Sequence, residues 1–487
     1  MLDTRRHLKE LIDEAYSLSL KFIFTAFTLS FLLAYLIVYL PEYSLSYQAR
    51  TTLFILLFAA GLWISEAIPA FAVSLLVIAL EIILLGFPGF NFADNSNGWQ
   101  EYLAPLSSPL IFLFLAGFIM AAAASKTKLD IWISKKILSL VGNRPHNIIS
   151  ALVGLTFILS MFISNTATAA MMVSILLPIY SHIKPGNPFG KSMFLAVMIG
   201  ANLGGMATII GTPPNAIAVG ILGLNAPSFI FWMFLALPPA LFVTFLLRYL
   251  IIKLYPSNEE FIDLRGIESV NHFDDSTQTF STIPTLPSWK KYVTMIIFTL
   301  TILLWLSGPL HHIPTTVVSL VPIIGFTLFK IIDADDIATL RWDVIILIIG
   351  GLSLGLAVSK SGLDIWFARL LHFDTLNTLL LMFIFSYVAV VISNFMSNTA
   401  ATNILLPIVI SVAISISEYE APMVVIAVAL STSFAMALAV STPPNAIIFA
   451  SKKVDGREFI RIGLIAALLG PLSVIGWLWS VSHFFNF

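Results

Sequence analysis

Cysteine is absent from the 487 residues. That excludes disulfides, thiolate-held metals and thiol catalysis together, without fixing a compartment. Charge is almost as scarce: Asp, Glu, Lys and Arg make up 10% of the chain against about 25% in soluble globular proteins. The net charge of −1 offers no basic surface for nucleic acid. Alternating stretches of about ten residues, the mark of an outer-membrane barrel, are also missing. What is present is apolar: 58% of residues are hydrophobic, in runs of about 17–25, the span of a bilayer. The sequence predicts an all-α polytopic membrane protein. No small-residue cleavage site follows the 22–40 run, so it reads as a retained first span rather than a signal peptide.

Apolar runs place spans near 22–40, 51–68, 70–88, 107–125, 191–222, 228–252, 289–308, 314–332, 343–360, 421–451 and 460–484. Two further stretches, 147–182 and 374–416, are interrupted near their middles by Ser164-Asn165-Thr166-Ala167 and Ser397-Asn398-Thr399-Ala400. If both stretches are re-entrant hairpins, 22 of the 25 Lys and Arg fall on one face and only Arg50, Lys360 and Arg369 on the other. The positive-inside bias assigns the rich face, with residues 1–21, to the cytoplasm of a plasma or inner membrane. Two full crossings would give the same parity. The polar tips favour hairpins, since a tetrad at a full-crossing turn would lie in water.

The halves repeat. Ser125-Lys126-Thr127-Lys128-Leu129-Asp130-Ile131-Trp132 matches Ser359-Lys360-Ser361-Gly362-Leu363-Asp364-Ile365-Trp366, each opening a short amphipathic segment. Thr212-Pro213-Pro214-Asn215-Ala216-Ile217 recurs as Thr442-Pro443-Pro444-Asn445-Ala446-Ile447. Five spans per half is odd, so the halves are inverted: repeat 1 over 51–252, with hairpin 147–182 and broken helix 191–222, and repeat 2 over 289–484, with hairpin 374–416 and broken helix 421–451. A cytoplasmic loop, 253–288, joins them, and 22–40 stands outside. The fold class is eleven transmembrane helices plus two re-entrant hairpins in two inverted-topology repeats.

Polar breaks in corresponding places of two halves point to a carrier with its site at the repeat interface. At a hairpin tip, one helix ends in unpaired carbonyls and the next begins with unpaired amides, so a cation and an anion can bind side by side without a formal protein charge. Ser and Asn supply oxygens to a hard cation and donors to a carboxylate. One tetrad alone would read as a helix N-cap. Two in register, each with a serine four residues before it (Ser160, Ser393), read as a site. The paired prolines read alone as kinks; following twin tips, they read as unwound segments lending carbonyls to ions. Gly200, Gly204 and Gly205 carry no functional weight here, small residues being ordinary at membrane helix contacts.

No Asp, Glu or His adjoins a tip, which favours sodium over proton coupling. Glu66 and Glu81, within early spans, read as pairing with polar groups of a scaffold, and His311 and His312 as solvated. Gly186-Asn187-Pro188-Phe189-Gly190-Lys191-Ser192 has one residue too few between its glycines for a phosphate loop and runs into a span. An enzyme is not expected: the breaks hold no metal-ligand cluster and no nucleophile–base pair. No cofactor is expected beyond Na+ as coupling ion.

With these motifs the chain resembles the divalent-anion:sodium symporter family of dicarboxylate, citrate and sulfate carriers, over essentially residues 22–484. The resemblance implies a homodimer of elevator carriers in the lipid bilayer, with 147–222 and 374–451 in the mobile unit. It implies substrate contacts from Asn165, Thr166, Ser397, Asn398 and Thr399, with Thr442 and Pro443 lining the pocket. One sodium would sit near Ser160, Ser164, Asn165 and the Gly211 carbonyl, the other near Ser393, the Met396 carbonyl, Asn398 and the Ser441 carbonyl. The expected function is Na+-coupled import of a di- or tricarboxylate such as succinate, malate or citrate. The alternatives are a sodium-independent dicarboxylate exchanger, a sodium:sulfate symporter and, from a different class, an anion channel. Leu177-Pro178 lies 13 residues past Ser164 and Leu406-Pro407 nine past Ser397, which predicts a first arm one turn longer than the second.

Overall fold

The computed structural model describes residues 20–36, 45–87, 97–262, 286–370 and 377–485. Most of segment 1–21, most of loop 253–288 and the start of hairpin 374–416 lie outside the described residues, which are helical and contain no strand. The helices used below are α1 Leu20–Leu36, α2 Tyr47–Ser65, α3 Ala70–Glu81, α4 Leu110–Lys126, α5 Leu129–Leu140, α6 Pro145–Ser160, α7 Asn165–Ser181, α8 Phe189–Met206, α9 Pro213–Leu222 and α10 Phe229–Leu254. The second half continues with α11 Ser288–Leu306, α12 Thr315–Leu328, α13 Trp342–Ser361, α14 Leu363–Leu370, α15 Thr378–Phe395, α16 Asn398–Ile416, α17 Ala421–Ser431, α18 Pro443–Ala450 and α19 Gly456–Phe485.

Eight helices among the described residues are long and apolar enough to cross a bilayer, and several shorter apolar helices accompany them. The arms of the first hairpin, α6 and α7, have 16 and 17 residues and fall short of that length. The arms of the second, α15 and α16, have 18 and 19 and reach it. The expected difference between arms is therefore reversed: α16 is longer than α7. Pro178 and Pro407 both lie inside their helices, so spacing to proline does not measure an arm.

Both long apolar stretches around the Thr-Pro-Pro-Asn motifs are broken. Helix α8 stops at Met206 and α9 starts at Pro213; α17 stops at Ser431 and, after one 3-10 turn, α18 starts at Pro443. The prolines open helices rather than kink them, because the first turn of a helix has no use for the missing amide. Helix α8 is mostly apolar and buried at every position but Lys191, the expectation for a helix at the centre of a bundle. It lies close against α6, where a Cβ at Gly204 would stand 2.3 Å from the Phe157 carbonyl oxygen and one at Gly200 2.7 Å from the Val153 carbonyl oxygen.

The large core joins α4 and α6–α10 to α15–α17 and α19. A second core joins α1, α2 and α3 to α13, and Met396 after α15, with Ala400 and Ala401 at the start of α16, is buried in it. Lys126 at the end of α4 pairs with Asp333, at 2.8 Å, and with Asp336 in the turn before α13. Reciprocally, Lys360 at the end of α13 pairs with Glu101 in the segment before α4. The matching lysines of the two repeats thus each hold the other repeat's entry turn.

Glu66 does not sit within a span. It is the exposed, left-handed C-cap of α2, with φ 49°. Glu81 is fully buried and accepts a hydrogen bond from Ser353 of α13, as a scaffold pairing requires. His311 is tied to the Leu304 carbonyl oxygen at 2.8 Å, while His312 is exposed.

Candidate functional site at the paired helix breaks

Each Ser-Asn-Thr tetrad opens a helix. Ser164 Oγ accepts from the Ala167 amide at 3.3 Å, and Ser397 Oγ from the Ala400 amide at 3.2 Å. Both serines therefore act as N-caps, and the asparagines that follow are free to turn toward the preceding arm.

Asn165 does so, and its carboxamide ends among oxygens. Ser160 Oγ lies 2.7 Å away and itself donates to the Ala201 carbonyl oxygen at 2.7 Å. With its NH2 turned inward, Asn165 finds Ser160 Oγ, Ala201 O at 3.2 Å and Gly211 O at 3.3 Å as acceptors. With its oxygen inward, Asn165 Oδ1 accepts from Ser160 Oγ at 2.7 Å and joins the Ala201 and Gly211 carbonyl oxygens in a set of oxygen donors suited to a hard cation. The corner exists because Gly205 has no side chain: a Cβ there would stand 2.3 Å from Asn165 Oδ1. Gly211 is equally confined, 2.3 Å from the Gly205 carbonyl oxygen by the same test.

The second corner differs. Ser393 Oγ and Asn398 Oδ1 are buried and neither has a hydrogen-bond partner among the described residues, although a buried acceptor left unpaired costs about 1–3 kcal/mol. Met396 caps α15 with extended backbone, φ −139° and ψ 172°, so its carbonyl is released from the helix. Ser441, by contrast, bonds within its own break: its amide and Oγ donate to the Leu438 carbonyl oxygen at 3.2 and 2.8 Å. Thr442 Oγ1 accepts from the Asn445 amide at 3.4 Å. Thr166 and Thr399 are half-buried in the first turns of α7 and α16, and Pro443 is exposed.

The repeats interlock across these corners. Helix α7, opened by the first tetrad, packs against α18, opened by the second proline pair; α16 packs against α9 in the same way. Each tetrad helix thus contacts the helix that the other half's proline pair opens.

The motif asparagines do work that the sequence reading did not assign them. Asn215 Nδ2 reaches the carbonyl oxygens of Gly205, Met206 and Thr208 at 3.2, 3.3 and 2.7 Å. Asn445 Nδ2 reaches those of Met436 and Leu438 at 3.0 and 2.8 Å. Each takes up carbonyls that its own break frees, so the unwound segments are held open by side chains. Asn202 of α8 donates to Asn445 Oδ1 at 3.0 Å, joining the halves. Trp232 donates to the Met206 carbonyl oxygen at 3.2 Å, and Thr208 to that of Met161 at the first tip. Asn394 accepts from the Ala437 amide at 2.9 Å. The repeated Asn of the motif was a visible signal for this role; Asn202, Thr208 and Trp232 had none.

Residues 58–431 match the citrate transporter family. An uncharacterized transporter of Haemophilus influenzae is 31% identical over 450 residues, 87% of this chain and 89% of that one. The sodium-dependent dicarboxylate transporter SdcS of Staphylococcus aureus is 30% identical over 463 residues, 88% of this chain and 85% of that one. The inorganic phosphate transporter PHO87 of Saccharomyces cerevisiae is 28% identical over 426 residues, 86% of this chain but 44% of its own length. Among solved structures, MtrF of Neisseria gonorrhoeae, titled for a class of antimetabolite efflux pumps, shares the fold. Its TM-score is 0.55 at 11% identity, over 84% of this chain and 94% of that one.

Proposed function

The chain belongs to the citrate transporter family, and from that premise we propose a secondary carrier that imports di- or tricarboxylates together with sodium. That it is an integral membrane transporter follows from the family and the apolar helices. The substrate, the coupling ion and the mechanism are the proposal. The observation that carries it is the pair of neutral, oxygen-lined corners: the cage around Asn165 and the unpartnered Ser393 Oγ and Asn398 Oδ1.

One sodium would be held by Ser160, Asn165, the Gly211 carbonyl and, in addition to the expected set, the Ala201 carbonyl, with Ser164 fixing the turn as its cap. The other would be held by Ser393, Asn398 and the Met396 and Ser441 carbonyls; the bonds Ser441 makes within its own break use its amide and Oγ and leave its carbonyl to the ion. The carboxylates would meet the first-turn amides of α7 and α16, with Asn165, Thr166, Ser397, Asn398, Thr399, Thr442 and Pro443 around them. Two Na+ neutralise a dianion, and a third would add about 2.3 kcal/mol per 100 mV of membrane potential.

The membrane arrangement belongs to the same proposal. It consists of inverted repeats over 51–252 and 289–484, a cytoplasmic N-terminus and loop 253–288, and a homodimer whose 147–222 and 374–451 segments slide as one unit. The 16- and 17-residue arms of the first hairpin support re-entry, since at 1.5 Å per residue they fall short of a core of about 30 Å. The face of α7 bearing Ala167, Ala170 and Ser174 is exposed, while the start of α16 is buried in the α1–α3 and α13 core. This inequality supports one end position of a sliding unit.

The yeast relative favours a second reading, an inorganic tetrahedral anion. Uptake by purified protein in vesicles, across succinate, malate, citrate, sulfate and phosphate, with and without sodium, tests both. Sodium-driven citrate or succinate uptake supports the proposal. Sodium-free counterflow at full rate would make the chain an exchanger. Phosphate or sulfate uptake that ignores excess succinate would establish the second reading.

A further inference from the structure

Asn403 lies in α16, six residues beyond Ser397, and is fully buried. Its Nδ2 donates to the Leu347 carbonyl oxygen of α13 at 3.1 Å. Its Oδ1 has no partner among the described residues and presses on the bare face of Gly351, where a Cβ would stand 1.9 Å away. The adjoining glycine of α13 is filled from the other side, a Cβ at Gly350 standing 2.3 Å from that of Ser74 in α3. Helix α13 is thus wedged between α3 and α16, and a single amide seats the α16 side.

The other repeat has the notch without the amide. The register of Ser125-Lys126 on Ser359-Lys360 sets Gly117 of α4 opposite Gly351, and Leu113 opposite Leu347. Six residues beyond Ser164 stands Ala170, exposed on α7. A Cβ at Gly117 would meet only Ile210, at 3.6 Å, an ordinary contact.

We propose that Asn403 is a positioning residue for the transport cycle: its bond to Leu347 holds the sliding unit in the arrangement seen here. The opposite arrangement, in which α7 meets α4 through Ala170 and Gly117, has no such bond. The inference rests on the sliding-unit reading above. Movement must break the Asn403 bond and gains no equivalent, so Asn403 biases the cycle toward one end and limits departure from it.

The absence of native cysteine gives a direct test. A reporter at Ala401→Cys, fully buried against the α1–α3 and α13 core, reacts with a membrane-permeant maleimide only when α16 leaves that core. Asn403→Ala should accelerate labelling about fivefold, the population change carried by one ordinary hydrogen bond. Ala170→Asn, which leaves every Asn403 contact in place, should accelerate it as well by giving the opposite arrangement its own bond. Acceleration in both variants supports the proposal. Parent labelling that changes with sodium plus succinate or citrate, while both variants label at the parent rate, overturns the role of Asn403 alone. Parent labelling that ignores sodium, succinate and citrate alike overturns the sliding reading and this inference with it.

Discussion

The Asn165 carboxamide occupies the space a side chain on residue 205 would need: a Cβ at Gly205 would stand 2.3 Å from Asn165 Oδ1 and 2.7 Å from Nδ2. Gly205→Ala must therefore push Asn165 out of its cage of oxygens. The expected result is a chain that still inserts, weakened by about 1–3 kcal/mol from overpacking, with sodium-dependent uptake down at least about tenfold, the loss that about 1.4 kcal/mol of ion binding carries. Uptake measured against sodium concentration checks it, because the deficit should shrink as sodium is raised.

Asn445→Ala removes the donor that holds the Met436 and Leu438 carbonyls at 3.0 and 2.8 Å. The Leu438 oxygen keeps the Ser441 amide and Oγ, but the buried Met436 oxygen would be left unpaired, at a cost of roughly 2 kcal/mol. Asn202→Ala takes away the bonds to Asn445 Oδ1 and to the Met198 carbonyl oxygen, each at 3.0 Å, but leaves the Met436 carbonyl held and should be milder. Thermal unfolding of the purified variants, followed by loss of monodisperse protein, should rank them wild type, Asn202→Ala, then Asn445→Ala. A reversed order would contradict the assignment of Asn445 as the keeper of the break.

Asp130, on the amphipathic α5 outside the spans, has its carboxyl pushed up by burial, from 3.8 to about 6, although Oδ1 accepts from the Ile131 amide at 2.8 Å. A folded pKa above the unfolded one contributes stability that is complete below about pH 4 and is lost as pH rises through about 6. Asp130→Asn keeps the amide contact and discards the buried charge. It should stabilise the fold at pH 7–8 by on the order of 2 kcal/mol, read as a higher unfolding temperature, and change little near pH 4. Equal effects at both pH values would contradict the burial account.

Lys126 and Lys360 give a graded pair. The Lys126 side chain is 19% exposed between Asp333 and Asp336, and its charge holds the Asp333 carboxyl down to about 2. Lys360 and Glu101 are 42% and 52% exposed. An exposed ion pair is worth about 0–1 kcal/mol, so Lys360→Ala should be close to silent in thermal unfolding. Lys126→Ala should be measurably destabilising, and less so at high salt.

The twin tetrads, twin proline motifs and the Ser-Lys register were enough to read a helical membrane carrier and to locate its helix breaks, because burying neutral polar clusters among apolar helices leaves few alternatives. Three things were out of reach. The length of a hairpin arm is set by where neighbours cap it, and Pro178 and Pro407 turned out to lie inside helices. Glu66 reads as part of an apolar run until the left-handed turn after Ser65 removes it. Gly205 looks like any small residue at a helix contact, and its importance appears only when Asn165 is seen against it. Long-range partners such as Asn202 with Asn445, or Asn403 with Leu347, carry no local pattern at all.

Uptake of labelled succinate and citrate by purified chain in vesicles, as sodium outside is raised from zero, bears most directly on whether neutral helix ends hold cation and anion together. The account predicts negligible uptake without sodium, a sigmoidal rise as sodium is added, and no uptake for Asn398→Ala at any sodium concentration. Full uptake in sodium-free buffer, or a normal sodium response from Asn398→Ala, would contradict it.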